Sequence, residues 1–395
     1  MQWSMRLRSP ALSVRVRAYL AVAAVLGVAA CVSLVSPGGG TGNIPVVHGQ
    51  YRNGRDQMVR IALATAAHEG ADLGAGKGPL VVRPEANGSF VVWGGKRYRG
   101  ELVISATDSG MLVVNRLSMD EYLRGVVPLE IGNRTVAEFA AVQAQAVAAR
   151  TYAYKHLNDA RAFDMYSTVQ DQVYGGVDAE KPQADTAIMT TADVVVLYNG
   201  QPITTPYHST CGGSTAAVSE VWYNQSDEPY LRPISDRIPG TGHFYCDPSP
   251  RFSWTQSFDG PGLRAGMEKY LAVYTNAPKS GVGRITDIRE EGRTPSGRVA
   301  ALTVQTDSGS YTLRANDIRF VLRDPKGAIL NSTYFSFTKE TSGGEVSNLN
   351  VSGRGYGHGI GMCQWGAIGR ARAGQNYRTI LETYYPGTTI GRIAG

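Results

Sequence analysis

Between Met58 and Val114, short apolar or β-branched runs alternate with turn residues. Met58-Val-Arg-Ile-Ala-Leu63, Pro79-Leu-Val-Val-Arg83, Ser89-Phe-Val-Val-Trp93, Glu101-Leu-Val-Ile104 and Met111-Leu-Val-Val114 are separated by Gly, Asn and Asp. That pattern predicts strands and hairpins. The character then changes: Arg134 to Leu157 contains no Gly or Pro and is rich in Ala, which predicts a helix of about six turns. Gln143, Val147, Arg150 and Tyr154 fall on one stripe of it, because residues three or four apart share a helical face. Beyond it, Ala192 to Tyr198 is an apolar strand, Gln201 to Gly213 a strand and turn, and Val218 to Tyr230 a segment rich in aromatic residues. A second β-rich portion spans about 283–340, with turns at Ser296-Gly297, Asp307-Ser-Gly309 and Pro325-Lys-Gly327. The tail carries two short helices, Cys363 to Ala373 and Tyr377 to Tyr385, before Pro386-Gly387 stops the second. Antiparallel strand runs around one long helix indicate an α+β fold rather than a βαβ series.

The chain of 395 residues begins with Arg6, Arg8, Arg15 and Arg17 followed by the apolar run Ala18 to Val35. Charge followed by an apolar run is the layout of an export segment. We read residues 1–35 as a signal peptide or membrane anchor. Three fates fit: an uncleaved anchor, since about 18 residues can just cross a bilayer, lipidation at Cys31 within Val28-Ala-Ala-Cys31, or simple cleavage. Gly-rich residues 36–50 read as a flexible linker, leaving 51–395 as the folded, exported body. The net charge of +6 comes from scattered basic residues, part of them in the N-terminal segment. This argues for a general affinity for anionic envelope polymers and against a nucleic-acid partner.

Of the cysteines, Cys211, Cys246 and Cys363 lie in the folded body. Outside the cytoplasm, Cys211 and Cys246 are a candidate disulfide. The competing readings are two free thiols, or zinc held by His208-x-x-Cys211 and His243-x-x-Cys246. Cys363 is expected to be unpaired in each.

Three segments carry candidate chemistry. Asp120-Glu-Tyr-Leu-Arg-Gly-Val-Val-Pro-Leu-Glu130 sets one carboxylate in an apolar stretch just before the long helix. A carboxyl group so placed has its pKa raised and suits the acid role in glycoside cleavage. Glycines recur at 353, 355, 357, 359 and 361; in an extended strand they share one face, with Arg354, Tyr356, His358, Ile360 and Met362 on the other. Such a face admits a ligand or another chain segment close to the backbone, or the glycines simply serve turns and packing. In Pro206-Tyr-His-Ser-Thr-Cys-Gly-Gly213, His208 is a candidate base, a metal ligand or an ordinary hydrogen-bonded histidine. Serine catalysis lacks support, since no G-x-S-x-G elbow occurs.

With these residues in view, the chain resembles the stage II sporulation protein D family, which includes lytic transglycosylases and enhancers of cell-wall amidases. The matching pieces are Tyr122-Leu-x-Gly-Val-Val-x-x-Glu130, Ala141 to Ala153, Gln172-Val-Tyr-Gly-Gly176, Tyr207 to Gly213 and Gly357 to Gly366, in family order. The resemblance implies cleavage of the MurNAc-GlcNAc bond of peptidoglycan glycan strands, with Glu130 catalytic and no cofactor. Its substrate-binding set would be Arg150, Gln143, Tyr207, His208, Ser209, Arg354, His358 and Gln364. Partners implied are glycan strands, a cell-wall amidase in related forms, and the membrane through the N-terminal segment. A guanidinium within about 4–6 Å would depress the acid's pKa, so Arg150 is expected to face substrate and not to pair with Glu130. The chain departs from its relatives at two points. Gln143 stands where members often carry Lys, and Gln170-Asp171 stands where zinc-binding relatives carry a His-Cys pair, so no metal is expected there.

Overall fold

The computed structural model of the chain describes residues 44–47, 50–67, 79–86, 89–108, 110–324 and 326–394. The expected export segment lies outside the described residues, as does most of the expected linker. Among the described residues no helix is long and apolar enough to cross a membrane.

The first strands form as their alternation predicts. β1 (Met58–Ala67), β2 (Leu80–Val82), β3 (Glu101–Thr107) and β4 (Gly110–Ser118) build one sheet, completed by the short strand Met165–Tyr166 beside β1. β4 is central, with Val114 opposite both Ala62 and Val103. It runs straight into α1 (Met119–Ile131). There the Ser118 hydroxyl accepts from the Glu121 N–H, and the Glu121 carboxylate accepts from the Ser118 N–H in a capping box. Glu130 precedes the long helix, as the sequence suggests, but itself sits in the last turn of α1. Pro128 is tolerated near the C-terminal end, where it forfeits a single backbone bond, and Gly132 at φ 71° closes the helix onto the Pro128 carbonyl.

α2 (Phe139–His156) is the predicted long helix, starting later because Val136–Glu138 form a tight 3-10 turn. It is apolar nearly all round, as suits a helix covered on every side. α1, α3 (Pro182–Thr190) and β5 (Val194–Tyr198) cover much of it. Then follows β6 (Tyr207–His208).

The second β-rich portion has its own core. β7 (Ser253–Asp259), α4 (Gly260–Tyr274), β8 (Ile285–Glu290), β9 (Ala301–Thr306), β10 (Gly309–Arg314), α5 (Asp317–Val321), β11 (Phe335–Ser342) and β12 (Glu345–Arg354) enclose Phe258, Leu271, Ile288, Leu313 and Val351. β7 and β12 pair antiparallel from Ser253 with Arg354 to Asp259 with Asn348, so this unit is an insertion whose ends meet. The chain then returns to the first core through β13 (Met362–Cys363), α6 (Gln364–Arg372), α7 (Tyr377–Tyr384) and β14 (Thr389–Ile393). β14 lies between β5 and the strand Val46–Val47, bringing the two ends of the described chain together.

The glycine series does not continue as an extended strand. Gly355, Gly357, Gly359 and Gly361 all take positive φ, between 69° and 114°, a region that side chains with a Cβ rarely adopt. A Cβ on Gly361 would lie 2.1 Å from the Pro206 carbonyl oxygen, and one on Gly357 would lie 2.8 Å from His208 Cβ. Their bare face admits the segment around β6, not a ligand.

Candidate active site

Glu130, half-buried in the last turn of α1, is met there by donors from three other segments. Its Oε1 accepts the Val173 backbone N–H at 3.2 Å, and its Oε2 lies 3.4 Å from Nε2 of Gln364, the first residue of α6. The Tyr207 hydroxyl is the third donor. Burial raises the Glu130 pKa above its ordinary value, and these three donors only partly offset it. Among the described residues no ion pair involves Glu130, so burial and neutral dipoles set its proton affinity.

The donors are themselves held in place. Tyr122 O–H donates to Gln172 Oε1 at 3.0 Å, which fixes the amide so that its Nε2 donates to the Tyr207 oxygen at 2.9 Å. Tyr207 is thereby left with its own proton to give Glu130. Such chains polarise each bond in turn. Gln364 also donates to Oε1 of buried Gln145 at 3.3 Å. At the neighbouring surface the Arg134 guanidinium lies 5.2 Å from the centre of the Trp365 ring.

Of the residues expected around substrate, Tyr207 and Gln364 reach Glu130. Arg150 does not: it is wholly buried, donating to the Ile188 and Val194 carbonyls and the Thr191 hydroxyl at 3.2–3.4 Å. The expectation that it faces substrate is corrected, because α2 is enclosed and this stripe points at α3 and β5. Gln143 likewise donates to the Thr190 hydroxyl at 3.0 Å; Gln145, two residues on, meets Gln364 instead.

His208 and His358 are neutral packing residues, not acids or bases. His208 Nδ1 bonds the Ile360 carbonyl at 3.1 Å, and burial followed by the Arg298 charge pushes its pKa down to about 3. In His358, Nε2 bonds the Tyr207 carbonyl at 2.9 Å and Nδ1 accepts the Ile360 N–H at 3.1 Å. Burial and His208 hold its pKa well below the usual value. Ser209 is half-buried, and its backbone carbonyl accepts from the Trp365 N–H. Arg354 belongs to the inserted unit, where it donates to the Tyr334 hydroxyl at 2.7 Å in a groove also lined by Trp254 and Arg293.

The cysteines are arranged differently from the sequence expectation. Cys211 and Cys246 do meet, but as free thiols with Sγ atoms 3.5 Å apart, and Cys363, expected alone, joins them. The two His-x-x-Cys pairs do not converge as a ligand set. His208 is engaged with Ile360, and exposed His243 bonds Asp247.

Sequence reasoning missed Tyr122, Gln145 and Gln172 as parts of the site. The only signal was that they fall within the matching motifs, which by itself gives no role.

A family model described as stage II sporulation protein matches residues 107–198, which include Glu130, and one for a domain of unknown function (DUF8618) matches residues 241–361. An uncharacterized protein of Brachyspira hyodysenteriae is 33% identical over 299 residues, 75% of this chain and 73% of that protein. The amidase enhancer of Bacillus subtilis is 33% identical over 291 residues, 68% of this chain but only 40% of that larger protein. Stage II sporulation protein D of Bacillus subtilis is 30% identical over 294 residues, 70% of this chain and 75% of that protein. Agreement over most of both chains, together with the motif that places Glu130, makes this chain a member of the stage II sporulation protein D family.

Proposed function

We propose that the protein is an exported lytic transglycosylase that cleaves the MurNAc-GlcNAc bond of peptidoglycan glycan strands, with Glu130 as acid and then base. The observation that carries this reading is the state of that one carboxyl group. Burial raises its pKa, only neutral donors touch it, and among the described residues no cation pairs with it. An ordinary glycosidase divides the work between two carboxylates. Here the sugar supplies the nucleophile. Glu130 protonates the leaving GlcNAc oxygen, the C6 hydroxyl of MurNAc closes on C1, and its proton returns to Glu130. The products are a new GlcNAc end and a 1,6-anhydro-MurNAc end, no water is consumed, and the acid is regenerated.

The Tyr122, Gln172 and Tyr207 chain would stabilise the carboxylate at mid-reaction, when it is briefly anionic. Arg134 over Trp365, the residue after Gln364, offers a cation and a ring face. That pairing suits the lactyl carboxylate exposed on MurNAc once stem peptides are gone. Denuded strands are thus the favoured substrate, and Arg134→Ala should raise KM on them with little change in kcat.

The deciding experiment is mass spectrometry of purified glycan strands after incubation with the protein and with Glu130→Gln. We expect 1,6-anhydro-MurNAc ends from the former, reduced by roughly 10²–10⁴-fold in the variant. A second reading rests on the likeness to the amidase enhancer: the protein binds the wall and stimulates an amidase without cleaving glycan. Strands that stay intact yet co-sediment with the protein would favour it.

A further inference from the structure

Away from the Glu130 pocket, four groups with ligand chemistry converge. Cys211, Cys246, Cys363 and Asp236 are all fully buried, and one ligand atom from each lies within 4.8 Å of all the others. Cys211 Sγ is 3.5 Å from Cys246 Sγ and 3.7 Å from Asp236 Oδ2. In a tetrahedral zinc site the bond lengths set sulfur-sulfur edges of ~3.8 Å and sulfur-oxygen edges of ~3.5 Å. A disulfide would draw two sulfurs to about 2.05 Å. The cluster has the dimensions of a coordination shell.

Its surroundings are those of a metal site, in which outer groups orient the ligands. Cys363 Sγ accepts the backbone N–H groups of Cys211 and Gly366, each at 3.2 Å. Asp236 Oδ1 is occupied by Arg370 at 3.0 Å and the Tyr384 hydroxyl at 2.7 Å, which leaves Oδ2 towards the sulfurs. Arg298 is also buried beside the cluster, bonded to the Cys211 and Ser214 carbonyls, and its Nε has no partner among the described residues. Three thiolates and a carboxylate around a divalent ion leave two net negative charges, which the guanidiniums of Arg298 and Arg370 match.

We propose that Cys211, Cys246, Cys363 and Asp236 form a structural zinc site that fastens three distant chain segments behind the candidate active site. With four protein ligands the site is closed, which marks a structural and not a catalytic ion. Cys211 follows β6, Cys246 precedes the inserted unit, and Cys363 caps α6, whose first residue, Gln364, reaches Glu130. The ion thus sets the position from which Gln364 meets the acid. This inference does not depend on whether the protein cleaves glycan.

The test is elemental analysis of the full chain purified without chelator from zinc-supplemented culture, paired with peptide mapping of its cysteines. We expect about one zinc per chain, retained in Cys31→Ser and falling below about a tenth in Cys246→Ser. Reconstitution of the unmutated chain with cobalt should give thiolate-to-cobalt charge transfer and tetrahedral d-d absorption, a readout that needs no variant to fold. A metal-free protein with a Cys211–Cys246 disulfide overturns the proposal. So does a metal-free protein with intact thiols, or zinc retained in Cys246→Ser at full stoichiometry.

Discussion

At the scale of single residues, the protonation of Glu130 yields the sharpest predictions. Its carboxyl is raised in the folded protein, so the neutral form is favoured and ionisation is opposed chiefly by burial. In the proposed acid role it must hold its proton, and cleavage should then fall as pH rises through a value above the ordinary carboxylate range. Gln364 is among the donors that lower that value. Gln364→Leu should move the alkaline limb of the pH-rate profile to higher pH; an unmoved limb would mean that the bond is not made in solution. Stability follows the same sign. A raised folded pKa contributes stability that is fully present below the unfolded value and lost as pH rises through the folded one. The Tm of Glu130→Gln relative to the unmutated protein should accordingly increase with pH, as differential scanning fluorimetry would show. Arg150 makes the contrasting case. Arg150→Met removes a donor from the Ile188 and Val194 carbonyls, while the Thr191 hydroxyl keeps its bond to the Ala187 carbonyl, and buried groups left unpaired cost about 1–3 kcal/mol each. We expect a loss of roughly 3 kcal/mol in chemical denaturation, with little change in kcat of the folded fraction. Unchanged stability with lost activity would return Arg150 to the substrate.

At the scale of elements, α2 explains why stripe analysis failed. Helical spacing identifies which residues share a face, and Gln143 and Arg150 do share one. It cannot identify the cleft-facing side of a helix whose neighbours cover every side. The run from Gly355 to Gly361 teaches the converse: period two suggested a strand, but alternate positive φ values fold it against β6. Gly361→Ala combines a φ of 69° with a Cβ only 2.1 Å from the Pro206 carbonyl oxygen. It should cost more than the ~1–3 kcal/mol of backbone strain alone, and equilibrium unfolding would measure it. Gly240 has a similar φ of 72° but open space around it, so Gly240→Ala should cost only the strain, about 1 kcal/mol. Equal losses at both sites would show that the contact with β6 is not formed.

At the scale of the molecule, the two largest cores among the described residues share no residue, the second lying between Ser253 and Arg354. Because the ends of the insertion pair with each other, residues 253–354 should fold alone and melt cooperatively by circular dichroism. A fragment without a transition would show that its core needs the first one. Much of this organisation was legible along the chain. The strands from Met58 to Val114, the long helix, the later β-rich portion and the short C-terminal helices follow from periodicities that depend only on neighbouring residues. The burial of the Glu130 carboxylate was legible too, since a carboxylate amid apolar residues is conspicuous wherever the chain folds. What the tertiary structure alone decided is which groups meet. Gln364 is brought to Glu130 across 234 positions, Cys363 joins Cys211 across 152, and Arg150 turns inward. Such encounters depend on how elements stack and which faces they cover, and local sequence pattern fixes the faces of each element without naming what will cover them.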